Sequence, residues 1–144
     1  MFLGELVQNR STSLVAVDVK AYELNRSLVL EIGLSSITRT TNAIPHEITS
    51  RHYILKETID LYNGTYIAGN KYGFTFGDSH TVSEKDIVGE VKKFVEEVVP
   101  AGNKVAIVSH SVDGDEKWLS GLRITFADAK RCDLALMEIA LTSS

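Results

Sequence analysis

The sequence predicts an α/β fold: a mixed sheet of three antiparallel strands followed by parallel strands, with helices between them. Three observations predict it. The first 57 residues hold three strand-like runs separated by polar links. An amphipathic helical pattern follows over residues 83–99. A Val-rich run then leads into a short helix and a last strand. Strands first, then alternating helices and strands, is the pattern of a sheet packed against helices.

The elements follow in order. Residues 1–12 read as a lead-in to one domain over residues 13–144. "SLVAVDV" (13–19) is almost continuously apolar, as a strand covered on both faces requires. "AYELNR" (21–26) is a polar turn, and "SLVLEIGLSSI" (27–37) is a second strand, antiparallel because the link is short. Residues 38–50 are polar and contain Pro45, which predicts a loop. "RHYILKE" (51–57) alternates and is rich in strand formers. Residues 58–82 carry four Gly at 64, 69, 73 and 77 and predict a long irregular segment, with a short hairpin at Asn63-Gly64. Thr81 or Ser83 can cap a helix, Ser83-Glu84-Lys85-Asp86 resembles a capping box, and Ile87, Val88, Val91, Phe94, Val95 and Val98 then fall at helical spacing. Pro100 and Gly102 end that helix. "KVAIVSH" (104–110) is a buried strand, and residues 113–122 form a helix with Trp118, Leu119 and Leu122 inward. A last strand lies near 123–126 or 130–134, before the start of a helix. A right-handed crossover through the long helix sets strand 104–110 beside strand 14–19 and parallel to it. Ligands in such sheets bind at the carboxyl ends of strands. Asp18 and His110 lie at those ends.

Composition narrows the function. The chain has 144 residues, 44% hydrophobic and 24% charged, which suits one globular domain able to bury a core. A formal net charge of −4 argues against coating nucleic acid through bulk charge, but leaves room for local grip around an acidic site. Cys132 is the only cysteine, so no internal disulfide forms, which fits a reducing compartment. "MFLGELVQNR" is too short and too acidic for a signal peptide, and no apolar run approaches the roughly 18 residues of a membrane helix. A cytoplasmic or nuclear protein with no membrane partner is expected.

Several residues are candidates for chemistry. Asp18 sits near the end of an apolar strand, and Lys20 projects to the same face. A carboxylate there needs a cation, a salt bridge or water. Asp115 enters a helix whose first turn also holds Asp113 and Glu116, and acids at that position also serve the helix dipole. His110 reads as an acid/base group, a ligand or a structural hydrogen bonder. If the two strands are neighbours, Asp18 and Asp115 approach each other, and two carboxylates at close range call for a cation between them. Oxygen ligands suit Mg2+ or Mn2+, ions used to cut phosphodiesters.

"VAVDV" followed by "LEIGLSSI" resembles the first motif of the DEDD 3′–5′ exonucleases of the ribonuclease H-like superfamily. "IVSHSVDGDEKWL" resembles their second motif, a His with an Asp five residues later, and "RCDLALM" the fifth-strand segment. "HYILKE", "NGTYI" and "FTFGDS" add a likeness to the fungal nuclease-like family named for full DEAD-box protein activity. The resemblance implies a ribonuclease H-like mixed sheet with Mg2+ or Mn2+ held by Asp18 and Asp115, supported by Glu31, and with His110 assisting catalysis. It implies single-stranded RNA or DNA as partner, with a protein partner as the alternative. The sequence departs from the family in two places. The second acid of the first motif falls on Lys20, an ammonium that repels a metal ion and can instead neutralise Asp18 and Asp115. The last acidic motif is missing: the chain ends at Ser144, 11 residues after Asp133, so a C-terminally incomplete domain is expected. A degenerate, weakly active or inactive nucleic-acid-binding exonuclease-like domain is the leading expectation, and an active metal-dependent exonuclease the alternative. Lys20 and Lys117, with Arg51, Lys56, Lys71 and Arg123, are candidate phosphate contacts. Tyr72, Phe74 and Phe76 either stack on bases or pack a loop onto the sheet.

Overall fold

The computed structural model describes residues 12–38, 47–66, 69, 71–73, 77–109, 112–126 and 129–133. The element order is β1 (Thr12–Tyr22), β2 (Asn25–Thr38), β3 (Glu47–Leu55), a 3-10 turn (Lys56–Thr58), β4 (Ser79–Val82), α1 (Glu84–Val98), β5 (Lys104–Ser109), α2 (Val112–Gly121) and β6 (Lys130–Asp133). The six strands form one sheet in the order β4-β3-β2-β1-β5-β6. β1, β2 and β3 are antiparallel neighbours, while β5 runs parallel to β1 and β6 parallel to β5. The expected α/β mixed sheet is therefore the one observed, with the α1 crossover setting β5 beside β1.

The sheet has two unlike faces. Val15, Val17 and Val19 of β1, Ile32 and Leu34 of β2, Tyr53 and Leu55 of β3 and Ile107 of β5 share one core with Ile87, Val91, Phe94 and Val98 of α1 and Leu119 of α2. These are alternate residues on each strand, so one face of the sheet is covered by both helices. The opposite face carries a small cluster of Leu14, Ala106 and Cys132 at one end. Farther along β1 on that face, Ala16, Asp18 and Lys20 are exposed.

Local signals explain the helices. Ser83 caps α1: its Oγ accepts the Asp86 N–H at 3.2 Å and its hydroxyl donates to Asp86 Oδ2 at 3.1 Å. Both Glu57 carboxylate oxygens accept the Glu84 N–H, satisfying another open amide of the first turn. α2 closes in a Schellman motif. Arg123 takes a left-handed φ of 64°, the Ile124 N–H reaches Leu119 O at 2.8 Å and the Arg123 N–H reaches Ser120 O at 2.9 Å. Trp118 Nε1 donates to Arg26 O at 2.7 Å and ties α2 to the start of β2.

Some expectations need correction. Residues 58–82 are not wholly irregular: β4 lies there, a four-residue edge strand with three exposed residues, too short and polar to show a strand period. Asn63-Gly64 is a loop and not a hairpin, because the Asn63 side chain binds the β1–β2 turn. β1 and β2 run to Tyr22 and from Asn25, leaving a two-residue turn in place of the six expected, since the pairing continues through a bulge. β3 begins at Glu47, inside the expected loop. Val88 is 36% exposed and lies at the rim of the α1 apolar stripe. Of the two placements for the last strand, 130–133 is the observed one.

Candidate functional site

The open face is organised by strand register. Asp18 lies opposite Gly33 and Lys20 opposite Glu31. Gly33 in turn lies opposite His52, and Glu31 opposite Ile54. Asp18 therefore faces a residue without a side chain and stays exposed to water. Neither Asp18 nor Lys20 makes an ion pair with the other, and the expected neutralisation by Lys20 is not seen. Side chains two apart on a strand are roughly 7 Å apart, so two exposed groups gain more from water than from folding together.

Glu31 is the opposite case. It is 5% exposed, and a buried carboxylate needs a partner. His52, its diagonal neighbour on β3, supplies one: Nε2 lies 2.8 Å from Glu31 Oε1. The other ring nitrogen, Nδ1, lies 2.7 Å from Ser79 Oγ on β4. The chain Glu31–His52–Ser79 pins the edge strand to the sheet and fixes the Glu31 carboxylate. Nothing in the sequence spacing pointed to it, since the partners are 21 and 27 residues apart.

Beside Glu31 lies a pocket of about 400 Å3, lined by Lys20, Glu31, Tyr62, Asn63, Lys71 and Tyr72 among others. Its walls are held in place. Glu23, at the tip of the β1–β2 hairpin, accepts the N–H groups of Gly64, Thr65 and Tyr66 at 3.2, 2.8 and 2.9 Å. Asn63 grips the same tip, accepting the Glu23 N–H at 2.8 Å and donating to Ala21 O at 3.0 Å. Lys71 is 5% exposed. Its ammonium donates to the carbonyls of Thr58, Ile59 and Leu61, at and just beyond the end of the 3-10 turn, and sits 4.4 Å from the Tyr62 ring centroid. Burial pushes the Lys71 amine below its usual range, and the Glu31 and Asp60 carboxylates oppose that shift. The Tyr62 and Tyr72 rings are tilted by 47° at 6.4 Å between centroids.

Asp115 belongs to another environment. It is 7% exposed and accepts a hydrogen bond from the Ser109 hydroxyl. Ser109 is two residues beyond Ile107 of the main core, so this contact lies on the helix-covered side, across the sheet from the Asp18 side chain. Lys117 is exposed on α2. His110, Phe74 and Phe76 lie outside the described residues. Two expected phosphate contacts have internal duties instead. Arg51 pairs with Glu97 at 3.0 Å and lies 5.9 Å over the Phe94 ring, and Lys71 is spent on carbonyls.

A family model described as DNA polymerase III subunit epsilon-like, C-terminal domain (DEDDh_C), matches residues 13–141. The chain belongs to this family. The exonuclease-like domain is also 28% identical over 119 residues to Good for full DBP5 activity protein 2 of Saccharomyces cerevisiae, which covers 76% of this chain and 21% of that protein. It is 28% identical over 120 residues to the nucleolar protein C2C4.08 of Schizosaccharomyces pombe, covering 83% of this chain and 45% of that protein. The chain thus spans under half the length of either relative. Family and sheet order together give a ribonuclease H-like exonuclease fold.

Exonucleases of this family normally work with divalent metal ions. The described residues do not fit such a site. No group of three or more His, Cys, Asp or Glu converges among them. Asp18 has Gly33 and Lys20 for neighbours, Glu31 is engaged by His52, and Asp115 is held on the far side by Ser109. Among the described residues, the open face offers a cationic and aromatic surface beside the exposed Asp18 carboxylate. Sequence reasoning singled out Asp18, Lys20, Glu31 and Tyr72 on it, but missed His52, Ser79, Glu23 and Tyr62.

Proposed function

We propose that this exonuclease-like domain binds single-stranded nucleic acid on its open sheet face with a degenerate metal site and little or no cleavage. The observation that carries the reading is the position of Lys20. It stands beside Asp18 on the exposed face and in register with Glu31, where a further acid would be needed to hold a cation. At an effective dielectric near 20, a unit positive charge about 4 Å from a bound cation costs roughly 4 kcal/mol for each unit of cation charge. The same ammonium is suited to a phosphate; Lys117, exposed on α2 over the covered face, would meet only a strand that continues past the sheet edge. The remaining acids contribute by position. Asp18 is the residual ligand on the open face; Glu31, engaged by His52, and Asp115, held by Ser109 on the covered side, would have to leave those partners before they could join it, with His110 assisting, around a Mg2+ or Mn2+ ion in an active form. A nuclear location agrees with the nucleolar name of the fission-yeast relative. The name of the budding-yeast relative, which refers to DBP5 activity, favours a second reading in which the fold engages a protein.

The test is fluorescence anisotropy with labelled single-stranded RNA and DNA, in chelator and in Mn2+, with the products run on a denaturing gel. Binding that persists in chelator without shortening of the strand supports the proposal. Mn2+-dependent shortening that Asp18→Ala abolishes makes the domain an active exonuclease instead. Absence of binding to either strand removes the nucleic-acid reading and leaves the protein-engaging one. Lys20→Glu sharpens the result: a second carboxylate on the open face should raise Mn2+ affinity, and an unchanged affinity would absolve Lys20.

A further inference from the structure

We infer that the pocket beside Glu31 holds one unpaired base of a bound strand against Tyr62 and Tyr72, with the adjoining phosphate on Lys20. This rests on the nucleic-acid reading and specifies how the strand is held. Four observations support it. The pocket volume, about 400 Å3, is of the size that encloses a small organic group. Tyr62 and Tyr72 are 54% and 64% exposed, so ring surface beyond the Lys71 contact on Tyr62 is open to a planar partner. Exposed aromatic rings beside a cation are what single strands bind without sequence preference. The Tyr62 side of the pocket is already tied down, because Glu23, Asn63 and Lys71 join its loop to the hairpin tip and the 3-10 turn. Binding would therefore order few residues.

Charge sets the orientation. Glu31 is a wall of the pocket and would repel a phosphate placed there. Its carboxylate instead accepts from an N–H on the edge of a base. Lys71 cannot serve as a phosphate clamp, since its donors are spent on three carbonyls. Lys20 is the exposed cation lining the pocket, so the phosphate lies on its side and the base points inward. In a duplex the Watson–Crick edge of a base is paired and its ring faces are stacked, which selects a single strand over a duplex.

The experiment measures the affinity of the whole chain for a labelled strand of about ten nucleotides, against the matching duplex. Tyr72→Leu should weaken single-strand binding roughly five- to hundredfold. Tyr62→Phe keeps the ring and should retain binding, while Tyr62→Leu should lose it. Lys20→Gln should reduce the salt slope by about 0.7, one phosphate for a single strand. Thermal unfolding of Tyr72→Leu at the wild-type temperature separates lost binding from lost fold. If the wild type binds the strand and Tyr72→Leu binds equally well, the base pocket is wrong and the wider reading stands. A duplex that binds as tightly as the single strand overturns the pocket in the same way. If the wild type binds no strand, both fall together.

Discussion

The two faces of the same sheet contrast sharply along β1. Val15, Val17 and Val19 on the covered face are at most 6% exposed, while Ala16, Asp18 and Lys20 between them are open to water. One strand thus anchors the core with one set of residues and presents chemistry with the other. Because α1 and α2 supply enough apolar surface on one side, the other side is free to carry charge. Two buried polar groups on the open side, Glu31 and His52, are tied into a hydrogen-bonded chain.

Four substitutions test that division, from the largest effect to the smallest. Phe94→Ala removes a core ring that is 2% exposed and should cost about 3–5 kcal/mol in chemical denaturation. A smaller cost would mean the covered face is less tightly packed than its burial indicates. His52→Ala leaves the Glu31 carboxylate buried without its imidazole and should cost about 3 kcal/mol. It should also raise amide exchange in β4, whose Ser79 loses its anchor. If stability is unchanged, the open face has no structural polar network and the contrast is simpler than drawn here. Ser83→Ala removes the α1 cap and should lower stability by about 1 kcal/mol with strand binding unaltered. Asp18→Ala should change stability by less than about 0.5 kcal/mol, since an exposed carboxylate without a partner holds nothing in place. A larger loss in urea unfolding would show that Asp18 belongs to a network outside the described residues.

How legible all this was in the chain differs by element. α1 could be read to within a residue, because its cap, its apolar spacing and its terminator are all local. The capped start at Ser83 and the burial of Ile87, Val91, Phe94 and Val98 follow the written pattern. β1, β2, β3 and β5 were recognisable from apolar runs, although their ends shifted where pairing outlasted the pattern. β4 was invisible, because an exposed four-residue edge strand has no period of its own. The open face was half legible. Asp18, Lys20 and Glu31 stood out as charges inside apolar strands, and Tyr72 as an aromatic in a Gly-rich stretch. Lys71 was expected among the candidate phosphate contacts, and nothing in its neighbours reveals that three carbonyls 10 to 13 residues away bind its ammonium.

The sequence by itself determined the class of fold from periodicity and the neighbours of β1 from a short turn and a right-handed crossover, while Asp18 and Asp115 stood out as motif acids by resemblance. Only the tertiary structure decided which carboxylates share a surface. Side-chain direction alternates with every strand residue, and Asp115 enters from a helix rather than a strand. Its hydrogen bond with Ser109 on the covered side therefore places it across the sheet from Asp18. The pocket is tertiary for the same reason: Glu23 and Asn63 meet the loop and the hairpin tip across about 40 residues of chain, a distance over which no local pattern carries information.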